Sequence, residues 1–162
     1  MKLKLFLIVT LFLLVNGIVK PQSLKIGFAA EPSLIFRNIN NQKSVAFNPY
    51  SVNLKLLVIP NRVLNFEVRP GVFYSGDVDY SWIELGGFIR FNILPTKFYF
   101  ITGVSDHIRG GYDDILYTGA GIGFQKDSIS SFDVIFYWKT FKNNEPLTAI
   151  IKVDISFTWD IL

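Results

Sequence analysis

The sequence contains 162 residues, of which 50% are apolar and 16% aromatic, and it has no cysteine. This length suits one domain with a single core, and the lack of cysteine excludes disulfides, thiol catalysis and thiolate-bound metals. The 16 basic and 13 acidic residues give a net charge of +3, which becomes 14 against 13, or +1, if cleavage after Gly17 removes Lys2 and Lys4. No basic cluster remains, so nucleic acid is not an expected partner.

The first 23 residues have the layout of a secretory signal peptide. Two lysines precede a nearly uninterrupted apolar run, Leu5–Val15, and a polar stretch follows it. The apolar run is roughly 11 residues long, whereas a membrane-spanning helix needs about 20. We therefore expect residues 1–23 to be a cleavable signal peptide, with cleavage after Gly17 or Ser23, and residues 24–162 to form the exported domain.

Beyond the leader, eight runs alternate between apolar and polar residues with a period of two, and turn-rich stretches separate them. No sustained helical period, heptad repeat or linker interrupts this pattern, which is typical of an all-β chain. The runs are, in chain order, Leu24–Phe36, Tyr50–Ile59, Leu64–Ser75, Ile83–Ile93, Phe98–Ser105, Leu116–Gln125, Phe132–Phe141 and Leu147–Ile161. Pro70 lies inside the third run beside Gly71 and predicts a bulge that shifts the faces beyond it, and Pro32 presents the same difficulty in the first run.

The connections between the runs alternate in length. The stretches "PNR", "PTK" and "KDSIS" are short, whereas the others are mostly longer and rich in Asn, Asp and Gly. This alternation predicts a closed up-and-down barrel whose two ends differ. The longer connections are expected near residues 37–46, 76–81, 106–114 and 142–146.

Each run keeps its charged residues on one face. These residues are Lys25, Glu31, Lys55, Glu67, Arg69, Glu84, Arg90, Asp133, Lys139, Lys152, Asp154 and Asp160. A soluble sheet would show the same segregation, but the apolar face carries too many Phe and Trp side chains to fit inside a barrel of eight strands. The polar face carries glycines that leave room for long side chains. We therefore predict that the polar face points inward and the apolar face meets lipid, with aromatic girdles formed by Tyr50, Tyr74, Trp82, Phe98, Trp138 and Trp159.

Two stretches, "GFIRFNILPTKFYFITGVS" and "LYTGAGIGFQ", resemble the small outer-membrane β-barrel proteins of the OmpA/OmpX-like group. The resemblance implies an eight-stranded antiparallel up-and-down transmembrane β-barrel in a Gram-negative outer membrane, with both termini on the periplasmic side. It also implies outer-membrane lipids and the β-barrel assembly machinery as partners. Members often end in an aromatic residue that this machinery reads, whereas this chain ends in Ile161 and Leu162, with Phe157 and Trp159 as its nearest aromatic residues.

The inward charges are expected to form a structural plug of ion pairs, because a barrel of this size has room only for its own side chains. The predicted cluster consists of Glu67, Arg69, Glu84, Arg90, Lys139, Lys152 and Asp154. A narrow ion path through these charges is the functional alternative. No cofactor motif is present, because "GAGIG" lies inside a strand pattern rather than between a strand and a helix.

His107 is the only histidine and lies in a polar stretch with several possible partners, namely Ser105, Asp106, Asp113 and Asp114. A set of Ser, His and acid resembles that of lipid-modifying barrel enzymes, and an Asp-rich loop is a possible metal site. The spacing of two residues between Ser105 and His107 argues against catalysis. The sequence therefore predicts a solvated loop residue here, without catalytic or metal-binding residues.

The sequence as a whole predicts a non-enzymatic outer-membrane barrel whose longer connections present surface contacts. The alternative is a soluble secreted or periplasmic barrel with the faces reversed, which would bind a small apolar ligand inside. A third hypothesis is an outer-membrane lipid-modifying enzyme that uses His107.

Overall fold

The computed structural model describes residues 22–39, 41–48, 51–73, 82–108, 114–140 and 147–161. The strands are β1 (Ser23–Ala30), β2 (Ser33–Ile39), β3 (Gln42–Asn48), β4 (Ser51–Ile59), β5 (Leu64–Phe73), β6 (Trp82–Asn92), β7 (Phe98–Ile108), β8 (Ile115–Gln125), β9 (Ser130–Lys139) and β10 (Leu147–Asp160). Within these ranges there is no helix that is long and apolar enough to cross a membrane. The predicted signal peptide lies outside the described residues.

The strands close into a barrel of eight antiparallel wall strands. The sheet runs β1-β4-β5-β6-β7-β8-β9-β10, and β1 pairs with β10 to close it. Strands β1 and β2 form a single wall strand, because Ala30 pairs with Ile155 and Ser33 pairs with Lys152 in one unbroken register along β10. Strands β3 and β4 form the neighbouring wall strand. The predicted eight-stranded antiparallel barrel is therefore confirmed.

The pairing register between the first two wall strands shifts by one residue between β4 and β3. Ala30 pairs with Val52, and Ser33 pairs with Asn48. Between these two pairs the second wall strand has one residue more than the first, and an offset of one residue exchanges the inward and outward positions of a strand. As a result, the outward face passes from even-numbered residues in β4 to odd-numbered residues in β3, where Phe47 is exposed.

The prediction of a long connection at residues 37–46 is wrong. Strands β2 and β3 cover nearly all of this range, and only residues 40 and 41 separate them. Asn41 has a φ of 63°, in the left-handed region where Asn is several-fold enriched. The polar residues on both faces of this hairpin conceal the alternation that identifies the other strands.

The bulge predicted at Pro70 is also absent. Strand β5 keeps one register along β4, since Asn53 pairs with Gly71 and Leu56 pairs with Val68. Only the pairs opposite Arg69 and Pro70 are missing from that ladder, and Pro70 is still paired with β6. A proline lacks the N–H that one neighbour needs, so the β4–β5 ladder is interrupted without an inserted residue, and the faces beyond it do not shift.

The polarity of the barrel is the reverse of that of a soluble protein. Large apolar side chains lie on the outside, where Phe100 is 56% exposed and Phe28 is 48% exposed. Charged side chains lie inside, where Lys55 and Lys152 are 0% exposed. The alternative with the faces reversed and an apolar ligand inside is therefore wrong.

The aromatic residues predicted to form girdles do not all lie on the outer face. Phe98, Trp138 and Trp159 are exposed near strand ends, whereas Trp82 is only 5% exposed and stacks on Phe73 inside the barrel, with ring centroids 3.9 Å apart. Trp82 precedes Glu84 by two residues and so shares its inward face, which the alternation of β6 already indicates. Tyr50 and Tyr74 lie outside the described residues.

The two ends of the barrel differ, as the connection lengths predict. The turn end consists of residues 60–63, 93–97 and 126–129, together with the start of β1 and the end of β10. The loop end carries the other connections, of which residues 74–81, 109–113 and 141–146 lie outside the described residues.

Candidate functional site in the barrel interior

Arg69 lies at the centre of a buried charge network. Its guanidinium forms ion pairs with Glu31 at 3.0 Å, Asp133 at 2.6 Å and Asp154 at 2.7 Å, and also with Glu67. These four carboxylates come from different parts of the barrel wall, because Glu31 follows β1 and the others lie on β5, β9 and β10. A guanidinium offers five donors in a planar fork, so one side chain from β5 connects opposite walls of the barrel.

Lys55 extends this network across the interior. Its ammonium lies 2.9 Å from Asp154, 3.3 Å from Glu67 and 3.4 Å from Asp133, and it donates a hydrogen bond to the Ser156 hydroxyl at 2.9 Å. Each carboxylate that Lys55 contacts is also bound by Arg69. The two cations therefore share the negative charge of three carboxylates.

Arg90 and Tyr99 complete the network toward the turn end. Arg90 Nε lies 2.5 Å from Glu67, and its Nη2 lies 3.4 Å from Asp133. The guanidinium also lies over the Tyr99 ring, 4.6 Å from its centroid, and the Tyr99 hydroxyl donates a hydrogen bond to Asp133. Arg90 therefore has a partner on each side. Without these partners its guanidinium would be a buried charge without compensation.

Lys152 connects the network to the loop end. Its ammonium forms ion pairs with Glu31 at 3.0 Å and with Glu84. Glu84 in turn accepts a hydrogen bond from the Ser105 hydroxyl at 2.8 Å and lies 3.5 Å from His107 Nε2. The contacts are therefore continuous from Arg90 near the turn end to His107 near the loop end.

Five carboxylates and four cations are buried in this network. The carboxylates are those of Glu31, Glu67, Glu84, Asp133 and Asp154, and the cations are those of Lys55, Arg69, Arg90 and Lys152. Removing an ion from water costs several kcal/mol, which only close pairing and hydrogen bonding offset. Each of these groups has at least one ion-pair partner, as that requirement demands.

The structure brings together six of the seven residues predicted to form the interior cluster. Lys139 is the exception: it lies at the end of β9, is half-buried, and pairs with Tyr117 in the β8–β9 ladder. Lys55, Asp133 and Glu31 belong to the network but were not part of the predicted cluster. Their position on the polar face of their runs was the signal that could have included them.

Glycines of β8 make room for this interior. A Cβ at Gly123 would lie 2.2 Å from the Tyr99 ring and 2.4 Å from Asp133, and a Cβ at Gly119 would lie 3.0 Å from the Tyr137 ring. The predicted role of these glycines, to leave room for long inward side chains, is therefore confirmed at Gly119, where Tyr137 occupies the space. Tyr99 and Asp133 occupy the space beside Gly123.

The prediction that His107 is a solvated loop residue is wrong. His107 lies in β7, is 1% exposed, and is enclosed between Trp82 and Tyr117, with ring centroids 4.6 and 4.5 Å away. The strand continues through Ser105 and His107, so both side chains point inward. Ser105 donates its hydrogen bond to Glu84 rather than to the imidazole.

The Asp-rich stretch near His107 does not assemble a metal site within the described ranges, where no group of three or more His, Asp or Glu side chains is placed to hold a metal ion. Asp106 is half-buried in β7, and Asp114 is exposed just before β8. Asp113 lies outside the described residues.

These features define a class of protein: a closed eight-stranded antiparallel β-barrel with a charged interior and an apolar exterior. The sequence itself matches no protein family model and no curated protein. Among solved structures, the chain is similar to Neisserial surface protein A, with a TM-score of 0.52 and 10% identity over 86% of this chain and 96% of that one.

Two further structures have the same TM-score of 0.52. The attachment invasion locus protein Ail of Yersinia pestis shares 15% identity over 85% of this chain and 97% of Ail. The N-terminal β-barrel domain of Pseudomonas aeruginosa OprF shares 9% identity over 86% of this chain and 100% of that domain. At these identities the similarity concerns the fold alone, and at that level the resemblance to the OmpA/OmpX-like group is confirmed.

Proposed function

We propose that the protein is exported through residues 1–23 and that residues 24–162 are inserted as an integral β-barrel in the outer membrane of a Gram-negative cell. The reversed polarity carries this proposal. Burial of apolar surface stabilises by about 25 cal/mol per Å², and soluble proteins rarely expose large contiguous apolar patches. Here Phe28, Phe157 and Trp159 form an exposed aromatic cluster, with ring centroids of Phe28 5.9 and 5.7 Å from the other two. Lipid is the solvent in which such a surface is stable.

The role that fits this barrel best is non-enzymatic. In the proposed mechanism the charge network plugs the interior and fixes the wall strands relative to one another, while the loop end presents surface contacts outside the cell. The loop-end connections available for such contacts are residues 74–81, 109–113 and 141–146. The turn end, with both chain termini, then faces the periplasm, and the partners are outer-membrane lipids and the β-barrel assembly machinery.

The catalytic alternative rests on His107, and the geometry supports it less well. A nucleophilic serine requires a hydrogen bond to its base, whereas the Ser105 hydroxyl donates to Glu84. The rings of Trp82 and Tyr117 also enclose the imidazole of His107 from both sides. A lipid substrate would have to displace one of these rings to reach it.

Fractionation of a Gram-negative host that expresses the full chain tests this proposal. We expect the protein in the outer-membrane fraction after a sodium carbonate wash, and we expect its migration on a denaturing gel to differ between unheated and boiled samples. Release of the protein by carbonate without detergent, together with identical migration of both samples, would contradict membrane insertion.

A further inference from the structure

The turn end of the barrel contains an open cup of about 420 Å³. Residues of all three short turns form its rim, and Leu57, Asn65 and Thr158 form part of its wall. These three wall residues are buried and face the barrel axis. An occupant of the cup would therefore enter the barrel rather than lie between the barrel and lipid.

The cup has a surplus of positive charge. Its lining includes one carboxylate, Asp127, and four cationic side chains, those of Lys25, Arg62, Lys97 and Lys126. The Asp127 carboxylate is already bound within its own turn, where it accepts hydrogen bonds from the Ile129 and Ser130 amides at 2.8 and 2.7 Å and from the Ser130 hydroxyl at 2.6 Å. The nearby Asp160 carboxylate pairs with Lys25 at 3.4 Å.

Two of the cations are anchored on the same turn. Lys25 Nζ donates to the carbonyl of Ser128 at 2.6 Å, and Lys97 Nζ donates to the carbonyl of Lys126 at 2.8 Å. Each ammonium has three donors, so Lys97 keeps two beyond this bond. Neither Lys97 nor Arg62 forms an ion pair with a carboxylate of the described ranges. The arrangement thus holds several cationic donors near one opening with too few carboxylates to neutralise them.

We propose that this cup binds a small anion that carries two or more carboxylate or phosphate groups. Arg62 and Lys97 would bind the anionic groups, since guanidinium and ammonium donors form their strongest hydrogen bonds with such oxygens. The apolar side chains of Leu57 and Ile59, which also line the cup, would contact the remainder of the molecule. A volume of this size lies within the range of small-molecule sites. The inference depends on the turn end alone and holds whichever side of a membrane that end faces.

Titration of the folded protein in an uncharged detergent tests this proposal, with citrate and pyrophosphate added separately at constant ionic strength. Backbone amide chemical shifts report where each anion binds. We expect saturable shifts in the three turns of the turn end with at least one of the two anions, and the one that binds more tightly identifies carboxylate or phosphate as the preferred group. We expect Arg62→Gln and Lys97→Gln each to weaken binding about tenfold, the effect of losing one charge-assisted hydrogen bond.

Lys43→Gln is the matched control, because Lys43 is an exposed lysine near the start of β3, at the loop end of the barrel. It removes the same charge and should leave the affinity unchanged. Two results would overturn the proposal: no saturable shift with either anion at millimolar concentrations, or the same loss of affinity in Lys43→Gln as in the turn-end variants. The amide spectrum of each variant reports its fold independently of binding.

Discussion

Asp133 and Asp154 lie directly opposite each other in the β9–β10 ladder, and Arg69 from β5 binds both, at 2.6 and 2.7 Å. Two like charges directly opposite on neighbouring strands destabilise a sheet. Here Arg69 and Lys55 neutralise the pair from across the interior. The attraction of both carboxylates to cations from the opposite wall of the barrel therefore offsets the repulsion within the β9–β10 ladder.

This relationship predicts a large effect of Arg69→Leu. The substitution leaves four buried carboxylates without one of their cations, and loss of one member of a buried ion pair costs about 3–5 kcal/mol. Denaturant unfolding in lipid vesicles measures the loss as a lower midpoint. The second substitution Asp154→Asn should recover part of it, because it removes one of the carboxylates that Arg69 no longer compensates. If the double variant lost as much stability as the two single variants lose together, this result would contradict the network.

Gly123→Ala tests the close packing of the interior. The added Cβ would overlap the Tyr99 ring and the Asp133 carboxylate, and inserting extra carbon into a packed core typically costs about 1–3 kcal/mol. Gly87→Ala is the matched control, because a Cβ at Gly87 meets no atom within 4 Å. Unfolding midpoints should fall for Gly123→Ala and stay within error for Gly87→Ala. Equal midpoints for both variants would mean that the space beside Gly123 is not filled as described.

The stability of the turn at residues 126–129 should depend on pH, because the Asp127 carboxylate stabilises this turn when it is ionised. Hydrogen bonds from the Ser130 hydroxyl and from the Ser130 and Ile129 amides lower the pKa of this carboxyl from 3.8 to about 2. Since the folded-state pKa lies below the ordinary value, the ionised carboxylate contributes stability above about pH 4 and this contribution is lost as the pH falls through about 2. Amide shifts of Ile129 and Ser130 should titrate in that window, and Asp127→Asn should abolish the titration. Shifts that stay constant until the whole barrel unfolds would refute this role.

Ile155→Arg tests the outer face. Ile155 is exposed in β10 between Asp154 and Ser156, which point inward, and an Arg on the lipid face near the midplane of a bilayer costs about 2–4 kcal/mol. Ile129→Arg is the control, because Ile129 is exposed in a turn where the new charge reaches water. Folding into vesicles should be impaired by the first substitution and not by the second. If both variants folded into vesicles as well as the unchanged protein, the outer face of β10 would be in contact with water instead of lipid.

The alternation of residues was sufficient to predict most of this fold. The charged face of each run is inward in the structure, and most large side chains of the opposite, apolar face are outward. Most of the β2–β3 hairpin lies beyond the first predicted run, which ends at Phe36, because the outward and inward positions of the hairpin are both partly polar. Its strands are defined by the pairing of β2 with β10 and with β3 rather than by their own pattern. Pro70 was misinterpreted because a proline can interrupt one ladder without changing the register.

The site was predictable in part. The face that each charged residue occupies follows from the period of two, but the partner of each charge depends on strand stagger, which the sequence does not contain. Lys139 and Lys152 look equivalent as inward lysines, yet Lys152 forms the ion pairs with Glu31 and Glu84, whereas Lys139 lies at the end of β9. His107 appeared to lie in a loop because the polar residues around it conceal the continuation of β7 to Ile108.

In the proposed arrangement lipid surrounds the apolar face and the barrel wall encloses the charged face, and isoleucine methyl groups test this arrangement directly. Ile83, Ile122 and Ile155 point outward, whereas Ile35, Ile101, Ile135 and Ile150 are buried inside. In methyl-labelled protein reconstituted in lipid, we predict nuclear Overhauser contacts between acyl-chain protons and the first three methyl groups, and none with the other four. Lipid contacts of the four inner methyl groups, or water contacts of the three outer ones, would contradict this arrangement.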